Sequence, residues 1–207
     1  MPSITAQTFA LRPHDPEGVW ESNDGRYRLY AHELLAEHKV LCAELIRLWP
    51  RDVGSSITNP TQYPEITTLG MKRDQSSDTT RIYAAMAVEG YLNFYGVLRL
   101  GQQVFDDHFE RMGLVPKLRA LLLVCDQLNV DRNDPLVLLL DKVAQSRNLL
   151  VHPKTKEVVG DPATHQRSSF PMPEVAEQAV ANMELFFAAF VTAVPQASNH
   201  LARCADA

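Results

Sequence analysis

Long apolar runs are missing from this sequence. In a chain of 207 residues the longest uninterrupted stretches, such as Leu136–Leu140, fall far short of the ~20 residues that cross a bilayer, so no membrane span is expected. The first residues, Met1-Pro-Ser-Ile-Thr, carry neither a charged nor an apolar stretch of signal-peptide type, and a cytoplasmic location is expected. Cysteine is scarce too. Cys42, Cys125 and Cys204 are odd in number, far apart and without C-x-x-C spacing, which excludes a disulfide framework and reads as reduced thiols. Nor is there an excess of basic charge. Twenty Lys and Arg against 25 Asp and Glu leave a net charge of −5, which argues against coating DNA or RNA by bulk electrostatics but leaves room for a small basic site. H-E-x-x-H, Glu-x-x-His and closely spaced Cys/His sets are absent, so no metal is expected. Without a glycine-rich phosphate loop or a G-x-S-x-G elbow, no cofactor and no hydrolase triad are suggested.

What is present is ample core material. With 45% hydrophobic and 22% charged residues the chain is too apolar for overall disorder, and a domain of this length can bury roughly 70% of its surface. Helical spacing of leucines predicts a first helix over about 30–49, stopped by Pro50. A nearly all-round apolar helix follows over about 79–100 and belongs at the centre. A short amphipathic piece, 105–112, precedes a helix from Pro116 to about Leu128. Asp134-Pro135 then offers an N-cap oxygen and a first-turn proline, opening a helix that ends near Val151 ahead of Pro153. The last helix, 174–194, carries Phe186, Phe187 and Phe190 on one stripe with Val175 and Met183, a pattern of core rather than of a base-stacking platform. His32 and His38, six apart, point to different faces and read as a solvated polar face.

The expected fold is therefore all-α, an antiparallel four- to five-helix bundle with a long 50–78 loop and an N-terminal arm. The arm takes residues 1–28, a single helical-bundle domain 29–195, and a flexible tail 196–207. The 50–78 segment, rich in proline, serine and threonine, reads as a functional loop or one ordered by a partner.

One constellation carries chemistry. Ser146-Arg147-Asn148-Leu149-Leu150-Val151-His152-Pro153 places an arginine and a histidine at the end of a strongly apolar helix in the pattern Arg-Asn-x-x-x-His. It resembles the motif of the HEPN superfamily of helical-bundle ribonucleases, with the resemblance covering about residues 79–194. The central helix adds Val88-Glu89-Gly90-Tyr91-Leu92-Asn93, which resembles the supporting polar positions of such families. Arg26 and His32 fit the bare spacing as well, but Arg26 precedes a helix where the motif should close one. Arg147 and His152 lie five helical steps, about 140°, apart, so the helix must loosen before His152, and Pro153 supplies the reason.

The resemblance implies a metal-independent endoribonuclease with Arg147 and His152 catalytic and Asn148, Glu89 and Asn93 in support. Histidine works as acid or base near neutrality and arginine stabilises phosphate oxygens. Lys154, Lys156 and Arg167 would guide the RNA backbone, or else serve as ordinary loop charges diluted by Glu157 and Asp161. Glu89 and Asn93 are four apart on one helix face, and a carboxylate there is best paired with Arg147. Because one histidine cannot hold both proton-transfer roles at once, a homodimer is expected. RNA is the implied substrate and DNA is not, an antitoxin or regulatory protein is a further implied partner, and the setting is phage defence or a toxin–antitoxin pair. The competing reading, in a different class, is a non-catalytic HEPN-like helical module that binds RNA, a nucleotide or a protein partner.

Overall fold

The structure, a computed structural model, describes residues 10–14, 22–48, 63–151 and 173–201. Among these residues all regular structure is helical: α1 (Asp24–Leu48), α2 (Tyr63–Leu100), α3 (Gln102–His108), α4 (Leu114–Asp126), α5 (Pro135–Val151), α6 (Pro173–Ala193), a 3₁₀ turn (Pro195–Ala197) and α7 (Ser198–Leu201). The all-α class is as expected.

The 38-residue helix α2 is the axis of the molecule, packing on α1, α4, α5 and α6. Its inward side chains, Val88, Tyr91, Leu92 and Tyr95, meet Leu118, Leu121 and Leu122 of α4, Leu140 and Val143 of α5, and Met183, Phe186 and Phe190 of α6 in one continuous core. Tyr91 sets its edge against Phe187 and Phe190, with ring centroids 5.6 and 5.3 Å apart. Each such side chain contributes about 1.5–3 kcal/mol by leaving water, and all three phenylalanines of the stripe are buried. Helix α1 runs antiparallel to α2, since Asp24 lies against Gly90 and His38 against Arg73. It is antiparallel to α6 as well, through Arg28 with Glu184 and Lys39 with Glu177. α2 carries no side chain at Gly96 because the Phe105 ring of α3 fills that space.

Four boundaries differ from the sequence expectation. First, the 50–78 stretch is not one loop, because α2 begins at Tyr63. The Ser and Thr residues that read as loop bond back to helix carbonyls instead: Thr68 Oγ1 to Pro64 O at 2.8 Å and Ser76 Oγ to Arg73 O at 2.8 Å. Burial of Ile66, Arg73, Ser76 and Ser77 adds the packing that propensity lacks. Residues 49–62 lie outside the described set. Second, the arm is shorter, because Asn23-Asp24-Gly25 opens α1 rather than making a turn. Tyr27 N–H donates to Asn23 O at 3.0 Å, and buried Asp24 sits in the first turn, where the helix dipole favours an anion. Third, α4 stops two residues early, with Gln127 in the left-handed region (φ 57°) and Leu128 N–H closing on Leu122 O at 3.0 Å. Fourth, the tail is structured to Leu201, because Ala197, His200 and Leu201 are buried.

Other signals were accurate. Asp134 Oδ1 accepts from Leu136 N–H at 2.9 Å, capping α5. Gly101 ends α2 with φ +84°, a conformation other residues rarely adopt.

Candidate functional site

α5 changes character along its length. Leu136, Val137, Leu140 and Val143 are buried, and beyond them the helix leaves the core: Asn148 is exposed and Leu149 is 71% exposed. Arg147 stands on this emerging segment. Its Nη1 donates to Glu89 Oε2 of α2 at 2.8 Å, the pairing expected from the spacing of α2. The pair is only part-buried, with side chains 29% and 36% exposed. Arg147 makes no other hydrogen bond with the described residues, so the rest of its forked donor set is uncommitted. Held by one edge and open at the other, the guanidinium has the form that grips a phosphate through paired N–H···O bonds.

The helix just before Arg147 is held by Arg81, which sequence reading missed. Arg81 Nη2 donates to Ser146 O at 2.7 Å and Nε to Ser146 Oγ at 3.0 Å, while Nη1 lies 3.3 Å from Asp78 Oδ1. Burial lifts the Asp78 carboxyl above its ordinary range, Arg81 opposing and Asp74 adding to the rise. An arginine bonded to a helix carbonyl and to the side chain of the same residue ties α2 to this turn of α5. It fixes the backbone from which Arg147 projects.

Asn93, one turn along from Glu89, does not face Arg147. Its Oδ1 accepts from Lys117 Nζ of α4 at 2.6 Å, and the same ammonium donates to Glu110 O at 3.1 Å and lies 5.5 Å from the centre of the Phe105 ring. Lys117 is 1% exposed, a rare position for a lysine with no direct carboxylate partner. Burial pulls its pKa below the ordinary lysine value, and the charges of Glu89 and Glu110 pull it back up. Glu89 thus stands between the fields of two cations, Arg147 and Lys117. A signal was available in the sequence: Lys117 sits on the apolar stripe of Leu114, Leu118 and Leu121, where a solvated lysine would not be placed.

His152, Lys154, Lys156 and Arg167 lie outside the described residues. Arg26 and His32, the second pair of suitable spacing, both fall in the opening turns of α1. His32 Nε2 is 2.8 Å from Glu184 Oε1, and Arg28 Nε donates to the same oxygen at 2.8 Å. Burial alone would raise the Glu184 carboxyl, but these hydrogen bonds and charges hold it below its ordinary value.

His38 corrects the expectation of a solvated face, because it is fully buried between α1 and α2. Its Nδ1 is 3.1 Å from both Arg73 O and Ser76 Oγ. A carbonyl oxygen only accepts, and Ser76 already donates to that same carbonyl, so Nδ1 carries the proton. The other ring nitrogen, Nε2, faces Cys42 Sγ at 3.5 Å.

A second polar cluster lies at the C-terminal end of α2. Arg99 donates to Asp126 Oδ1 at 2.9 Å, Tyr95 Oη at 3.0 Å, Cys125 O at 2.8 Å and Arg12 O at 3.0 Å. Arg12 N–H returns a bond to Arg99 O at 2.8 Å, so residues 10–14 clasp the helix end. Tyr95 Oη donates to Asp126 Oδ2 at 2.5 Å, and burial with this carboxylate pushes the phenol far above its ordinary pKa. Burial likewise pushes the Cys125 thiol up to about 12. These groups are enclosed and mutually satisfied, as a structural hub requires. Among the described residues no three His, Cys, Asp or Glu side chains gather as a metal site would, and no helix is long and apolar enough to cross a membrane. Comparison of the chain with family models, curated proteins and solved structures finds no match, so the reading of the Arg147 site stands on its motif and its geometry.

Proposed function

We propose that the protein is a HEPN-like, metal-independent endoribonuclease acting in the cytoplasm as a defence or toxin component. The observation that carries this reading is Arg147 at the emerging end of α5, anchored through one nitrogen by Glu89 and otherwise uncommitted. In this reading the RNA 2′-hydroxyl attacks the adjacent phosphorus, the bond to the 5′-oxygen breaks, and a 2′,3′-cyclic phosphate and a 5′-hydroxyl result. Arg147 neutralises the charge that grows on the non-bridging oxygens. His152, on the residue after α5, removes the 2′-hydroxyl proton, and His152 of a second copy protonates the leaving oxygen. Exposed Leu149 and Val151 offer apolar surface for that second copy beside the site. Lys154, Lys156 and Arg167 steer the RNA backbone, and exposed Asn148 supports the site.

The test is incubation of total RNA with purified protein in EDTA. Cleavage with cyclic-phosphate ends is expected, with DNA untouched for want of a 2′-hydroxyl. Arg147→Ala and His152→Ala should each remove activity by about 10²–10⁴-fold, whereas Arg26→Ala should not. Cleavage that needs Mg²⁺, or that survives His152→Ala, would overturn the proposal. A second reading, a non-catalytic module that docks a protein partner, draws support from the same exposed Leu149 and Val151. It predicts partner binding that Arg147→Ala weakens while no RNA is cut.

A further inference from the structure

A groove of about 500 Å³ lies between α4 and α5, away from the Arg147 site. Val115 and Pro116 of α4 and Val137 and Leu138 of α5 give it an apolar lining, and Arg119, Arg132 and Asp141 supply its charges. Neither arginine pairs with an anion among the described residues. Half-buried Arg119 uses Nε to hold Val130 O at 3.0 Å, and its terminal nitrogens make no hydrogen bond with the described residues. Arg132, exposed on the loop between the helices, forms no ion pair among them. Asp141 serves neither arginine, since its Oδ2 takes the Gln145 amide at 2.6 Å. Two guanidiniums without carboxylates therefore border an apolar groove on a chain of net charge −5.

We infer that this groove docks an acidic amphipathic helix of a partner protein, its apolar side chains on Val115, Pro116 and Leu138 and a carboxylate on Arg119 and Arg132. Helix-in-groove docking reuses the periodicity that packs helices within a domain, and an arginine fork binds a carboxylate with geometric selectivity. Three other occupants fit less well. RNA would want stacking aromatics and further cations, whereas the lining has no aromatic side chain. A second copy joined through a twofold axis would bring like-charged arginines of both chains together. A small organic acid would leave the apolar lining of Val115, Pro116 and Leu138 unused. The groove's lining on α5, from Val137 to Asp141, lies six to ten residues and so roughly 9–15 Å before Arg147, and its occupation is separate from any chemistry there.

The test is a displayed library of short helical peptides selected against the full-length protein. Enriched peptides should carry Asp or Glu beside Leu, Ile, Phe or Met at i, i+3 and i+4 spacing. A synthetic copy of the strongest should lose affinity by ~10-fold or more on Arg119→Gln/Arg132→Gln, and should weaken as salt rises. Replacing its acidic residues with lysine should abolish binding. Arg132→Gln alone, on an exposed loop, gives the same direction of change without touching the Val130 tether. The inference is overturned if selection enriches nothing above the double variant, if the enriched peptides lack acidic residues, or if Arg132→Gln leaves binding unchanged. It is equally overturned if short RNA competes for these arginines, or if Leu138→Asp breaks up a self-associated form of the protein.

Discussion

Arg147 and Arg99 each pair with one carboxylate, yet their removal should cost very different amounts. Arg99 and Asp126 have side chains only 8% and 10% exposed, and the guanidinium also satisfies two backbone carbonyls and the Tyr95 hydroxyl. Arg99→Met keeps the aliphatic stem but leaves Asp126 an enclosed carboxylate without its arginine, a change that costs about 3–5 kcal/mol. In Arg147→Met, Glu89 is left more than a third exposed and takes up water, so the loss is that of a surface pair, up to about 1 kcal/mol. For a domain of this size each kcal/mol moves Tm by about 2–4 °C. Arg99→Met should therefore melt roughly 6–20 °C below the parent, and Arg147→Met within about 4 °C of it. Thermal and urea unfolding followed by far-UV circular dichroism read both values, with unchanged urea slopes confirming comparable transitions. If Arg147→Met falls as far as Arg99→Met, Arg147 is a structural cation and the proposed site loses its support.

Three further outcomes are expected. Gly96→Ala would place a methyl 2.4 Å from the Phe105 ring and 3.1 Å from Leu121, and should cost about 1–3 kcal/mol in urea unfolding through overpacking; a neutral result would mean that α3 is loosely held. Lys117 has a folded-state pKa below its ordinary 10.5, so the unfolded chain binds more protons over the window between the two values. Parent stability should then rise with pH through that window relative to Lys117→Met, and a gap between the two proteins that stays constant with pH would refute the burial argument. His14 is pushed below 6.5 by burial and by Arg99, against the pull of Asp126. Its neutral form is the one the fold prefers, so its contribution is present above 6.5 and lost as pH falls below it. It faces Arg99, Asp126, Tyr95 and His200. His14→Phe should flatten this part of the acid limb in unfolding midpoints, and an unchanged limb would remove His14 from the clasp.

Much of the fold was legible because apolar periodicity and stop signals are local. Asp134-Pro135 and Gly101 could be read directly, and so could the central place of 79–100. The first half of α2 could not, because Thr68, Ser76 and Ser77 carry the composition of a loop. Their helical state depends on packing against α1, a contact distant in sequence. The same distance hid Arg99, which ends an apolar helix and reads as an ordinary C-terminal cation until Asp126, Arg12 and His14 converge on it. In the site, Glu89 and Arg147 could be matched because a carboxylate on an otherwise apolar helix needs a cation. Lys117, on the apolar stripe of α4, poses the same question with the sign reversed. Helix face alone would pair Asn93 with Arg147, and Lys117 is what turns it away.

The polar groups of this bundle are arranged so that one end is closed and the other left open. At the C-terminal end of α2 the donors of Arg99 are spent on partners within the chain, which fixes residues 10–14 and the end of α4 to the axis. At the end of α5 the same type of side chain is held by one nitrogen, and the surrounding Asn148, Leu149 and Val151 face outward. A chain selected only for stability gains little from a half-engaged guanidinium beside exposed leucine, since the pair is worth at most about 1 kcal/mol and the apolar surface invites association. Arg81, by contrast, is nearly buried and grips Ser146 by two bonds. That rigid backbone directly behind a loosely committed side chain is the combination a binding or catalytic arginine needs: a fixed origin and unspent donors.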